Sequence, residues 1–296
     1  MSDNSLAEKF KNHLNTRNIL FLLFTTAALI VTYSPIKALY SSGKSEYYSH
    51  IALIPLVTIY LIYIKRKEIY AKVNYLYSLG IPVLLIGIAI FLGGTLWSAS
   101  LDKNNYASVI ALSVVIFMNG AFVLFYGMQS YKAALFPLLF LIFIVPIPTV
   151  LMDNIIYFLQ VGSTEITNLL FLASGVPFMR DGFVFHLSNL SVEVAKQCSG
   201  IRSSMAIFIV ALLAGYLFLK TYWKRVVLVI CAVLIAMFKN GIRIITLSLL
   251  GNYVDPRILQ SSLHREGGTP FFILALLLLA PILFFLRRSE RIKNKE

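Results

Sequence analysis

The sequence predicts an all-α polytopic membrane protein, and three observations predict it. Hydrophobic residues make up 58% of the chain and charged residues 13%, against about 45–50% and about 25% in an average soluble domain. Apolar runs recur at the length needed to cross a hydrocarbon core of about 30 Å, roughly 20 residues each. The formal net charge is +13 over 296 residues, and the Lys and Arg residues cluster between the apolar runs, as the positive-inside rule requires. A soluble chain this apolar has too little polar surface to cover its core. A soluble globular enzyme, a disordered chain and a nucleic-acid-binding module are therefore excluded. The two cysteines make no disulfide framework, and Cys231 lies inside an apolar run, so no pairing between them is expected.

Taken in order, the apolar runs fall at about 18–36, 47–64, 76–97, 106–128, 132–152, 199–219, 226–250 and 270–286, which gives about eight transmembrane helices. Residues 1–17 are polar and read as a cytoplasmic N-terminal segment. No small-residue cleavage site follows the first run, so it reads as a retained anchor and not a signal peptide. Residues 18–286 form a single transmembrane domain, and 287–296 a basic cytoplasmic tail. Residues 153–177 are apolar but carry Gln160, Thr164 and Asn168 at every fourth position, so one helical face is polar. Lipid would not tolerate that face, which predicts a re-entrant or interfacial helix, or one lining a cavity. In 182–198, Phe183, Phe185 and Leu187 alternate with Val184, His186 and Ser188. A turn signal at Ser188-Asn189 follows, and Leu190, Val192 and Val194 alternate again. This predicts a short extracytoplasmic β-hairpin leading into the next helix.

Charge counting sets the orientation. With the N-terminus in the cytoplasm, eight crossings and 153–198 outside, the inner segments hold Lys9, Lys11, Arg17, Lys65, Arg66, Lys67, Lys72, Lys132, Lys220, Lys224, Arg225, Arg287, Arg288, Arg291, Lys293 and Lys295. These are 16 of the 26 basic residues, and the opposite orientation would put this majority outside. Both termini are then cytoplasmic.

This orientation brings scattered polar residues to one depth. Cys198 starts the 199–219 helix at the outer surface. Arg243 lies about 26 Å along its helix from Val226, near the outer edge of the core, with Asn240 nearly one turn below it. His264 falls in the outer loop 251–269. A thiol nucleophile acts as thiolate. Cys198 has a helix N-terminus, Lys196 and Arg202 near it in sequence, and Arg243 near it in depth. His264 can take the thiol proton and return it to a leaving amine. Arg243, always charged, can hold a developing oxyanion. Together these suit acyl transfer from a peptide bond through a thioester.

Blander readings stand beside these. A free Cys is commonly a small buried hydrophobe, which fits Cys231 in VVLVICAVLIAM. Cys198 differs because Gln197, Ser199, Gly200 and Arg202 flank it. An Arg in an apolar helix costs about 2.5–3.5 kcal/mol to insert, unless it snorkels to the interface. A His in a loop says little alone, and Arg265 beside His264 can fill the same role. His50, at the outer end of the second run, is a further imidazole candidate. His186 reads as a hairpin residue. Lys65-Arg66-Lys67 and the tail read as topology signals or anionic-lipid contacts.

The stretch Val194-Ala195-Lys196-Gln197-Cys198-Ser199-Gly200-Ile201-Arg202-Ser203 resembles the cysteine motif of the exosortase/archaeosortase family. Asn240-Gly241-Ile242-Arg243 resembles its arginine motif, and Ser262-Leu263-His264 with Gly267-Gly268 its histidine motif. Phe140-Leu141-Ile142-Phe143 leading to Pro146-Ile147-Pro148, and Ser49-His50, resemble further family stretches. The family's usual Gly after that His is Ile51 here. The likeness runs from about 47 to 270, and the ordered set of Cys, Asn-x-x-Arg and His is its specific part. The resemblance implies a multi-pass cysteine transpeptidase or protease of the cell inner membrane, with its active site on the extracytoplasmic side. Its substrates would be exported membrane proteins with a C-terminal sorting signal: a Pro-Glu-Pro-like motif, a helix and a basic tail. The cut protein would pass to a lipid or glycan acceptor, in connection with exopolysaccharide. His264, where archaeosortases have Arg, favours the exosortase type. The expected catalytic residues are Cys198, Arg243 and His264, supported by Arg202, Asn240, Ser199, Gly200 and His50. No metal, cofactor or nucleic acid is expected, and the partners are the substrate and the lipid bilayer. The competing classes are a polytopic transporter for lipid-linked sugars, which would show inverted repeats, and an exopolysaccharide assembly factor. The sequence has no repeat of fixed period.

Overall fold

The computed structural model describes residues 16–39, 48, 50–257 and 268–293. Its helices are α1 (Thr16–Leu39), α2 (Leu53–Ile64), α3 (Arg66–Ile69), α4 (Tyr77–Leu96), α5 (Lys103–Ala133), α6 (Leu135–Phe140), α7 (Thr149–Ser174), α8 (Ile201–Phe218), α9 (Tyr222–Tyr253) and α10 (Gly268–Lys293). Strands β1 (Met179–Asp181), β2 (Val184–His186) and β3 (Ser191–Glu193) lie between α7 and α8. The chain divides into two compact units, one ending at Thr149 and one starting at Val150.

Six described helices are long and apolar enough to cross a membrane: α4, α5, α7, α8, α9 and the Gly268–Glu290 part of α10. The sequence reading gives eight spans, and among the described residues six helices meet the length and apolarity of one. α1 runs 24 residues, with an apolar stretch at Thr16–Val31 among the described residues, and α2 has 12 residues. Residues 132–152 are not one helix. α6 passes into a 3-10 turn at Leu141–Ile144, and the backbone is extended from Val145. Pro146 and Pro148 explain this, since each lacks a backbone N–H and disfavours helix at the residue before it. The segment still runs the length of α5. Ala134 N–H bonds Ser130 at one end of α5, and Thr149 N–H bonds Asn105 Oδ1 at the other. Tight and extended backbone rises further per residue than α-helix, so few residues cover the distance.

In the first unit Asn104 organises this end. It is 4% exposed. It accepts the Tyr48 hydroxyl at 2.5 Å and donates to Ile147 O at 2.8 Å and to Thr149 Oγ1 at 3.3 Å. α4 and α5 touch closely at Gly80, Gly87 and Gly120, where a Cβ would strike the facing backbone. Such close approach through small residues is how helices associate in lipid, where no hydrophobic drive exists between them. The outward face of α4 carries exposed Leu85, Ile86, Ile88 and Leu92, as lipid contact requires.

In the second unit α7 is one uninterrupted helix of 26 residues, long and apolar enough to cross. Its polar face is turned inward over most of its length, with Asn168 half-buried. Gln160, Ser163, Thr164 and Thr167 are all buried in protein. Thr164 and Thr167 donate back to Gln160 O and Ser163 O at 2.7 Å. The expected hairpin is part of a three-stranded antiparallel sheet, because β1 adds to β2 and pairs Arg180 with Phe185. β2 pairs with β3, His186 opposite Ser191. Phe185 points inward, fully buried with Phe171, Val194 and Ile244. α8, α9 and α10 pack together through Ile207, Ala211, Leu228, Ala232, Ala275 and Leu279.

Candidate functional site

The cysteine motif folds as a tight turn. Lys196–Ser199 is a 3-10 turn ending at Gly200, whose φ of 70° is left-handed and favours glycine. α8 begins only at Ile201. Cys198 therefore lies in the turn before the helix and does not start it, which corrects the expectation of a thiol on the first helical residue. Gly200 O accepts Ser204 N–H at 2.9 Å and the Ser203 hydroxyl at 3.1 Å, which closes the first turn of α8.

Three contacts fix this turn in the second unit. Gln160 of α7 donates to Val194 O at 2.5 Å, holding the strand that feeds the turn. Asn189, in the loop between β2 and β3, is tied to Asn252 near the end of α9 at 3.0 Å through both its backbone and its side chain. The third contact is the decisive one. A Cβ built on Gly200 would lie 2.8 Å from Asn240 Oδ1 and 3.3 Å from Lys239 Nζ. The backbone of the cysteine motif thus rests directly on the Asn-x-x-Arg motif of α9.

Asn240 is fully buried and donates to Ser163 Oγ of α7 at 3.1 Å. Gly241 lets α7 come close, since a Cβ there would meet Ile166 Cγ2 at 2.7 Å. Arg243 follows on the same face of α9 and is half-buried. Ser199 is buried and Arg202 is exposed on the first turn of α8. The Cys198 side chain, His264 and Arg265 lie outside the described residues. His50 belongs to the first unit, where its ring bonds the Phe143 backbone and burial lowers its pKa. His186 bonds the Ser191 hydroxyl at 2.7 Å. Cys231 is half-buried mid-helix. Among the described residues no three His, Cys, Asp or Glu side chains gather as a metal site would need.

A family model described as transmembrane exosortase (Exosortase_EpsH) matches residues 41–281. The chain belongs to the transmembrane exosortase family. No curated protein and no solved structure matches it. The matched range covers the cysteine turn, α9 and α7, so the contact between the Cys and Asn-x-x-Arg motifs lies inside the exosortase region.

Sequence reasoning missed Lys239. It is 1% exposed and donates to the Ser203 hydroxyl. A signal was available: an ionisable residue deep in an apolar helix marks a site by default. It also missed Ser163, whose position on the polar face of α7 was legible but whose partner Asn240 was not.

Proposed function

We propose that this exosortase is a membrane cysteine transpeptidase or protease that cleaves C-terminal sorting signals of exported proteins. Cys198 is the nucleophile. Its thiolate attacks the scissile carbonyl carbon, and Arg243 holds the oxyanion that forms. The C–N bond then breaks, and the leaving amine takes the proton that His264 accepted from the Cys198 thiol; Arg265, always protonated, fills that position only as a fixed charge. The resulting thioester is resolved by an acceptor nucleophile or by water. Asn240, Ser199, Gly200 and Arg202 support the cysteine turn.

The observation that carries this reading is the seat of Gly200 on Asn240, with Arg243 on the same helix face. It draws together two members of the ordered set of Cys, Asn-x-x-Arg and His. The basic residues support the orientation. Glu290 of α10 accepts Lys220 and Thr221 N–H, and Lys224 donates to Ser289 at 2.7 Å. This basic end of α9 lies about 24 Å from Asn240 along the helix. With the basic end cytoplasmic, the cysteine turn faces the extracytoplasmic boundary of the inner membrane, where a substrate anchored by its own helix presents its cleavage motif.

The test is processing of a substrate bearing the motif, helix and basic tail. Cys198→Ala is expected to abolish it and Cys231→Ala to leave it intact. Processing that survives Cys198→Ala overturns the mechanism.

A further inference from the structure

We propose that Lys239 is a positioning residue for the Cys198 nucleophile: it locks the cysteine turn through Ser203 and places a buried cation beside it. The inference rests on the reading of Cys198 as nucleophile.

The argument starts from burial. Lys239 is almost wholly inaccessible, on the face of α9 that carries Asn240. A buried ammonium is costly unless it is satisfied. Its described partner is the Ser203 hydroxyl, which in turn donates to Gly200 O. A chain of two hydrogen bonds thus runs from the ammonium to the left-handed residue that ends the cysteine turn. Nζ itself lies against Gly200, 3.3 Å from where a Cβ would stand. Consecutive Cα atoms are 3.8 Å apart, so the Cys198 Cα lies within about 7.6 Å of that of Gly200. A cation close to a thiol in a water-poor site favours thiolate over thiol.

Among the described residues, α7, α8, α9 and the sheet offer no buried carboxylate to offset Lys239. On its own helix the next charge is Arg243. From α8 comes Arg202, exposed, and from the cysteine turn Lys196, also exposed. The buried face of α7 offers the neutral Gln160, Ser163, Thr164 and Thr167. Asp153 of α7 is exposed, and Glu165 is exposed and bonded to Arg180. On the sheet, Glu193 and Asp181 are exposed and His186 bonds Ser191. The described charges of α10 sit at its far end, from Arg287 onward. Residues 258–267, with His264, Arg265 and Glu266, lie outside the described residues.

The test reads the pH dependence of Cys198 alkylation by iodoacetamide in the full-length Cys231→Ala protein. Lys239→Met is expected to raise the alkylation midpoint by about one pH unit, roughly a tenfold loss of rate at neutral pH, with the high-pH rate kept within about twofold. A purely structural lysine would change the accumulation of the protein or the rate at every pH, and leave the midpoint in place. If Lys239→Met fails to accumulate, Lys239→Gln removes the charge while keeping a hydrogen-bond donor, and the same shift is expected. An unchanged midpoint in the variant that accumulates overturns the proposal. Substrate processing by the Cys198→Ala protein would instead overturn the nucleophile reading, so the two failures are distinct.

Discussion

Two lysines of α9 show what burial means at the two ends of one helix. Lys224 is 7% exposed and Lys239 is 1%. Lys224 sits in the first turn, donates to Ser289 Oγ and Leu286 O, and keeps company with Glu290. Lys239 sits 15 residues further on, beside the buried Asn240, and donates to the serine that braces the cysteine turn. The first is anchorage: a cation held where a helix ends and α10 offers carbonyl, hydroxyl and carboxylate oxygens. The second is costly without a task. The same residue type reads as structure or as site according to what it touches.

The largest expected effect comes from the site end. Arg243→Ala should lower substrate processing by about 10²–10³-fold, the usual cost of losing an oxyanion donor. Arg243→Lys should not restore it, because a lysine lacks the planar fork. Normal processing by Arg243→Ala would remove the oxyanion role.

Next is Gly200→Ala. The added Cβ meets Asn240 and Lys239 and forces a left-handed conformation on an L residue, a strain of about 1–3 kcal/mol. Thermal unfolding in detergent should fall, and processing with it. An unaffected Gly200→Ala protein would mean that the turn does not press on α9 as described.

At the other end, Glu290→Ala removes the carboxylate that accepts the Lys220 and Thr221 N–H groups at the start of α9. The cost should be about 1 kcal/mol, the value of a helix N-cap, with the pH midpoint of Cys198 alkylation unmoved. A shift of that midpoint would erase the contrast between the two ends. The smallest effect is at Arg180–Glu165, an ion pair at 2.6 Å on the surface. Arg180→Gln should change stability by less than about 1 kcal/mol and leave processing intact.

The sequence showed the helices where apolar length alone decides them, as in α4, α5, α8 and α9. It failed at 132–152 because Pro146 and Pro148 change the rise per residue without changing hydropathy. It showed that α7 has a polar face, since Gln160 and Thr164 recur at helical spacing. The sequence leaves that face open as interfacial, re-entrant or cavity-lining, because nothing local reveals that Asn240, 77 residues away from Ser163, would cover it. Gly200 and Asn240 were legible as motif residues, and their contact was not. Lys239 was legible from its charge within an apolar helix, whereas its partner Ser203, 36 residues away in sequence, was not. Long-range pairing is decided by packing, and local pattern carries little of it.

The most direct test of the central claim, that the cysteine turn on α9 performs acyl transfer, is capture of the intermediate. Enzyme is mixed with a sorting-signal substrate, quenched in acid and digested, and the adduct located by mass spectrometry. A hydroxylamine-labile acyl group on Cys198, absent from Cys198→Ala and unaffected by Cys231→Ala, is the predicted result. Substrate cleavage with no adduct on Cys198 under any quench, or an adduct on Cys231, would contradict it.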